Sequence, residues 1–251
     1  MVGAVVVCQF TFGSVSQVVV GVLMGPVVAE MGWQIWQFTL GSSMGLAMGA
    51  ISGVFAGHIV DRRGPRRLLF LGAVVCSLCL LGLSLQSSLW VFWSLSALSG
   101  FLGWSFFGPL VASSTLSKWF VRKRGWALAI GSTGTSLGSL ITPLAMTAVI
   151  AWVGWRGGYM AMAVFVVVAM IPVSMLMLRQ PEDHGMLPDG DQTDPKIEEP
   201  PTKMTSSNER SLTLGHAVRT RAFWQLMIGF GLNQAALTSV LIHAFPFVTE
   251  S

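Results

Sequence analysis

The sequence predicts an all-α membrane protein: a bundle of six transmembrane helices, a linker, and a seventh transmembrane helix. Three observations predict it. First, 53% of the residues are hydrophobic and only 10% are charged, whereas an average soluble domain carries roughly 25% charged residues. So few charges cannot cover a soluble surface of this size. Second, the charges are clumped, leaving charge-free windows at 1–29, 31–60, 68–117, 125–155, 157–178 and 222–249. Third, every tryptophan except Trp104 falls near the end of a span that these windows predict, at the headgroup level where an indole has its ring buried and its N–H wet.

A helix needs about 20 apolar residues to cross the hydrocarbon core. Each window is long enough, and 68–117 is long enough for two. The predicted spans are therefore 2–29, 38–60, 68–86, 90–117, 125–153, 157–178 and 222–248. The runs are continuously apolar, unlike the alternating segments of about 10 residues that build a barrel. In lipid only helices and closed barrels satisfy the backbone.

The first span has no basic stretch before it, and its apolar run is about twice as long as the core of a signal peptide. It reads as a helix. Gln9, Ser16 and Gln17 lie at i, i+7 and i+8 on one side of it, with Gly13 between. Polar groups in a membrane helix face a partner helix or a watery cavity. The second span carries a glycine ladder, Gly41, Gly45, Gly49, Gly53 and Gly57. Small residues every four positions let helix backbones approach closely in lipid, which marks a packing stripe rather than a ligand contact.

The loop after the second span reads GHIVDRRGPRR, from Gly57 to Arg67. Its Gly64-Pro65 pair forces a tight turn. A charged turn on the basic side of the membrane accounts for Arg62, Arg66 and Arg67, but not for Asp61 at this spacing. In the third span Cys76 and Cys79 sit at membrane depth without another Cys or His near in sequence, so they read as small apolar filler. The four histidines, His58, His184, His216 and His243, show no ligand spacing. No metal or cofactor is expected.

Residues 179–218 are a different material, with Pro181, Pro188, Pro195, Pro200 and Pro201, no aromatic residue and almost half of the charges. Such a segment cannot bury enough apolar surface to order itself. The expected organisation is a six-helix bundle over 1–178, a cytoplasmic linker over 179–221, and the first helix of an incomplete second bundle over 222–251. The chain stops at Ser251, just past the seventh span, so the second half reads as cut short. The seventh span carries Asn233, Gln234, Thr238, Ser239 and His243.

Orientation follows from the basic residues. They lie in 62–67, in 118–124 and in 179–221, all on one side of the predicted topology, and Arg156 is alone on the other. Positive-inside bias puts the N-terminus and the basic loops in the cytoplasm. The net charge of +4 is thus a topology signal, and no nucleic-acid partner is needed. The expected surroundings are the lipid bilayer of a plasma or inner membrane, crossed several times.

Gly57-x-x-x-Asp61-Arg62-x-Gly64-x-Arg66-Arg67, between the second and third spans, resembles the signature loop of the major facilitator superfamily. That resemblance implies that the loop latches the cytoplasmic side, with Asp61 engaging the neighbouring half. It also implies that the six spans are the N-terminal half of such a fold. Helix 2 then faces the other half, which puts the glycine ladder in the rocking interface, and helices 1 and 7 line the central cavity.

Other segments are similar to the monocarboxylate-transporter-like branch, especially its bacterial members. They are Trp119-Phe-Val-Arg-Lys-Arg-Gly125, Trp155-Arg156-Gly157-Gly158-Tyr159, the linker start from Arg179 to Asp191, and Arg221-Ala-Phe-Trp224 with His243 and Pro246. The fourth span lacks the arginine, and the fifth the Gly-Pro pair, of the drug-exporting branches. The first span lacks the basic residue of the animal monocarboxylate carriers.

The function this implies is secondary transport of a small organic anion, monocarboxylate-like, by alternating access. Gln9, Gln17, Asn233 and His243 are the candidate substrate contacts, and His243 is a candidate proton acceptor if protons drive transport. No acid lies mid-span, Glu30 and Asp61 both being terminal. Two other classes compete. A truncated fragment would enclose no complete pathway. A membrane-embedded enzyme would need clustered His, Asp or Cys near one face, and no such cluster is visible in the sequence.

Overall fold

The computed structural model describes residues 1–177 and 219–233, leaving aside the side chains of residues 17, 19, 20 and 61–63. The chain divides into two units, 1–193 and 194–251, each described by itself. The described residues are helical almost throughout and contain no strand.

In the first unit α1 runs Val2–Gly21 and α2 Met24–Met31. The expected single span over 2–29 is therefore broken. Pro26 explains the break, because it donates no hydrogen bond and its ring opposes the carbonyl four residues back, at Val22. The amides of Val22 and Leu23 both turn to the Val18 carbonyl, each at 3.1 Å.

Helix α3, Ile35–Arg63, opens with a reciprocal cap between Gln34 and Gln37. Gly64 ends it at φ 78°, ψ 168°, and Pro65 starts α4, Pro65–Leu85. The expected span 90–117 is interrupted: α5 covers Leu89–Leu98, a π-helical turn Ser99–Gly103, a 3₁₀ turn Trp104–Phe107, and α6 Pro109–Trp119.

Helix α7 covers Arg124–Leu176, 53 residues interrupted at Gly154 (φ 72°, ψ 176°). Unbroken, it would be about 80 Å long against a hydrocarbon core of about 30 Å. Instead it folds back. A Cβ on Gly158 would lie 2.9 Å from the Ile150 side chain, eight residues earlier, whereas an unbroken helix would separate them by about 12 Å.

The two limbs of α7 clasp α1. Phe10 packs edge-on against Phe165 of the second limb, at 6.1 Å between centroids. A Cβ on Gly134 or Gly138, in the first limb, would strike the Val6 or Phe10 carbonyl. Ser77 of α4 ties to the second limb, its hydroxyl donating to the Ala163 carbonyl at 3.1 Å.

The surface is inverted relative to a soluble protein. Leu46 is 66% and Leu144 70% exposed, while Ser14 and Ser84 are fully buried. Ile35–Val60, Pro65–Leu85, Leu89–Trp119 and Arg124–Leu176 are each long and apolar enough to cross a membrane. Trp36, Trp90, Trp126 and Trp152 stand exposed near helix ends, while Trp104 is half-buried. In the second unit residues 221–233 are helical, and the Phe223 amide donates to the Thr220 hydroxyl at 3.4 Å.

Candidate functional site

The interruption between α5 and α6 has a local cause. Pro109 cannot donate and opposes the Ser105 carbonyl. It also pushes the residue before it toward extended backbone, and Gly108 sits at φ −72°, ψ −179°. The carbonyls freed by the break are satisfied from within, as they must be in lipid. The Cys8 thiol donates to the Phe107 carbonyl at 3.1 Å, and the Ser105 hydroxyl donates to the Gly100 carbonyl.

The glycine ladder decides where space remains. Gly41, Gly45 and Gly49 are buried, and they lie against α5 and the turns after it. A Cβ on Gly45 would come within 2.9 Å of the Ser96 carbonyl, and one on Gly49 within 2.7 Å of the Ser105 hydroxyl. Gly53 and Gly57 are only half-buried, and a Cβ there would meet nothing closer than Leu110, at 3.9 and 3.8 Å. The first three glycines therefore pack inside this bundle, which corrects the expectation that they belong to an interface between halves. Hydrophobic periodicity identifies a face but not the neighbour that covers it.

Where the ladder loosens, a cleft of about 380 Å³ opens, lined by Phe12 of α1, by Leu46 to Val54 of α3, and by Trp104 to Leu110 at the break. Phe12 and Trp104 meet at 5.7 Å and 51°. Gly49 is the midpoint of α3, and Trp104 is the midpoint of Leu89–Trp119. The cleft thus lies at mid-depth beside an interrupted helix, the arrangement in which secondary transporters hold their ligands. The sequence did carry a signal for this site, since Trp104 is the one tryptophan away from a span end and Gly108-Pro109 stands nearby.

Of the candidate contacts, Gln9 is the one whose side chain is described in the first unit. Gln9 is 6% exposed, and its amide oxygen has no hydrogen-bond partner. It sits one turn from Phe12 but does not line the cleft. Ser16 donates to the Gly13 carbonyl at 3.1 Å. Ser14 and Thr142 share a buried hydrogen bond of 2.7 Å between α1 and α7, so part of the polarity of α1 is spent on packing. The side chains of Gln17, Asp61 and Arg62 and the whole of His243 lie outside the described residues, and Asn233 ends the described part of the second unit. In the loop, Gly64 is buried while Arg66 and Arg67 are exposed. Among the described residues no group of three His, Cys, Asp or Glu could hold a metal.

A second polar cluster joins the ends of α2 and α4 to the reversal in α7. Trp155 donates its indole N–H to Glu30 at 2.7 Å, and Arg156 lies 3.7 Å from the same carboxylate. Arg156 also donates to the Ser84 and Gln86 carbonyls at 2.9 and 3.3 Å and lies 4.4 Å from the Trp155 ring centre. The ion pair is half-exposed and contributes little by itself, whereas charged donors on helix-end carbonyls contribute more. Arg156→Met is expected to cost about 1–2 kcal/mol, read as a lower melting temperature in detergent. Glu30→Gln should cost less, and the reverse order would mean that the ion pair dominates.

A model of the Major Facilitator Superfamily matches residues 4–251. The chain is 30% identical over 133 residues to the agnestins efflux protein AgnL12 of Paecilomyces divaricatus, covering 53% of this chain and 30% of that one. It is 28% identical over 142 residues to the membrane sensor protein UhpC of Salmonella typhimurium, covering 56% and 32%. It is 30% identical over 148 residues to the riboflavin transporter RibJ of Trypanosoma brucei brucei, covering 58% and 27%. The matched stretch thus spans about a third or less of each of these relatives.

Proposed function

The chain belongs to the major facilitator superfamily, and on that premise we propose that it forms part of a secondary transporter moving a small organic anion, a carboxylate, by alternating access. The observation that carries the transport part of this reading is the mid-depth cleft beside the interrupted Leu89–Trp119 run, and the carboxylate rests on the resemblance of 119–125 and 155–159 to the monocarboxylate-transporter-like branch. Interrupted helices beside a cleft at mid-depth are where secondary transporters hold their ligands. Gln9 adds support, since an amide oxygen buried without a partner is costly unless something polar visits it. We assign substrate contact to Gln9, Gln17, Asn233 and His243, with His243 able to take a proton near neutral pH. Asp61 acts as the cytoplasmic latch, bridging to the neighbouring half and stabilising the outward-open state.

The reading is tested by uptake of labelled small carboxylates into proteoliposomes of the full-length protein, below and above the ordinary imidazole pKa of about 6.5. Asp61→Asn should abolish uptake while the protein still inserts. His243→Ala and Gln17→Ala should each slow uptake, and the first should flatten its pH dependence. Wild-type rates and pH profiles in all three variants would remove these residues from the pathway.

The proposed orientation places the N-terminus in the cytoplasm of the plasma or inner membrane. Single cysteines at Arg63 and Lys123 should resist an impermeant maleimide added outside intact cells, and one at Arg156 should react. Labelling at position 63 from outside would refute this orientation.

A further inference from the structure

Among the described residues nothing packs closely against Gly53. A glycine in a helix interior costs roughly 0.5–1 kcal/mol relative to alanine, and close packing offsets that cost at Gly45 and Gly49. At Gly53 nothing approaches a Cβ closer than 3.9 Å. The missing side chain leaves space that no described neighbour fills, and that space belongs to the cleft.

The chemistry of the cleft restricts what can enter. Among the described residues its walls are mostly hydrocarbon and backbone, no charged side chain lines them, and the Ser105 hydroxyl already donates to the Gly100 carbonyl. A carboxylate placed there would lose its hydration with nothing in exchange. An apolar group would lose nothing. The shape is equally selective: Gly49, Ala50 and Gly53 make a floor without bulky side chains, and the tilted rings of Trp104 and Phe12 form a corner beside it. Such a corner accepts a flat ring in offset or edge-on contact. A volume of about 380 Å³ lies at the lower end of the range for small-ligand pockets, about 300–1,000 Å³.

We infer that this cleft is the subsite for the ring of a ring-bearing organic acid, with Trp104 and Gly53 as its specificity-determining residues. The inference rests on the transporter reading and narrows it, because short-chain acids cannot use this surface.

The test is calorimetric binding to the full-length protein in lipid nanodiscs, with empty nanodiscs subtracted. The probes are acetate (headgroup alone), phenylacetate (headgroup and ring) and benzamide (ring without a charge). Phenylacetate should bind about tenfold or more tightly than acetate, the gain expected from burying a ring. Gly53→Leu, which has room for its Cβ, should remove that gain and leave acetate unchanged. Trp104→Ala should weaken phenylacetate and benzamide together. Gly53→Ala, melting at or above the wild-type temperature, controls for a side chain at this position.

If phenylacetate gains nothing over acetate, or keeps its gain in Gly53→Leu, the subsite is overturned while the anion reading stands. If benzamide alone binds and is lost in Gly53→Leu, the subsite stands and the anion reading falls. If Gly53→Leu changes only the phospholipid that co-purifies, by mass spectrometry, the cleft holds an acyl chain and the inference is overturned. It is likewise overturned if no probe binds.

Discussion

Gly100→Leu is expected to leave almost no correctly folded protein. A Cβ at position 100 would stand 2.6 Å from the carbonyl carbon and 2.7 Å from the Cα of Gly45. These are backbone atoms of the facing helix, so no side chain can rotate aside, and α3 must separate from the π turn. Ordinary overpacking costs about 1–3 kcal/mol, and a backbone obstruction lies at or above the top of that range. The effect should be local to the tight half of the ladder. Gly53→Ala meets only Leu110 at 3.9 Å and gains helix propensity of up to about 1 kcal/mol, so it should melt at or above the wild-type temperature. Size-exclusion chromatography and thermal melting in detergent check both. Equal melting of the two variants would mean that Gly45 and Gly100 are not a close-packed pair.

Gly154→Val should come next in severity. Gly154 (φ 72°, ψ 176°) and Gly64 (φ 78°, ψ 168°) share a backbone conformation that is essentially closed to residues with a side chain. Each sits where the chain reverses, Gly64 between α3 and α4 and Gly154 between the limbs of α7. A forced side chain costs about 1–3 kcal/mol, and valine, branched at Cβ, lies at the upper end. At Gly154 the loss also unseats Trp155 and Arg156, which tie the limb to Glu30 and to the end of α4. Gly125→Ala is the control, since it has open space and an ordinary φ. A melting curve for Gly154→Val that overlays the control would show that the reversal does not depend on this conformation.

Both reversals are legible in the amino-acid sequence. Gly64-Pro65 is a turn signal, and the charge at Arg156 interrupts the apolar windows beside Gly154. The two other breaks escape a reading by hydropathy, although their signals are present. Pro26 ends α1 and Pro109 ends the 3₁₀ turn, yet both lie inside unbroken apolar stretches. Counting apolar residues measures the cost of leaving water, and a proline raises that cost hardly at all. Its effect is on the backbone ladder, which hydropathy does not register.

The sequence by itself determined that this chain lives in a membrane, where most of its helices begin and end, and which residues form its glycine stripe. These are properties of composition and short-range spacing, because partition into lipid and helix termination depend on neighbours within a few residues. Only the tertiary structure decided what covers the stripe, where it opens, and that Trp104 meets Phe12 there. Those positions are 92 residues apart in the chain. Their meeting is set by how far two backbones can approach, which depends on side chains contributed by three different helices at once.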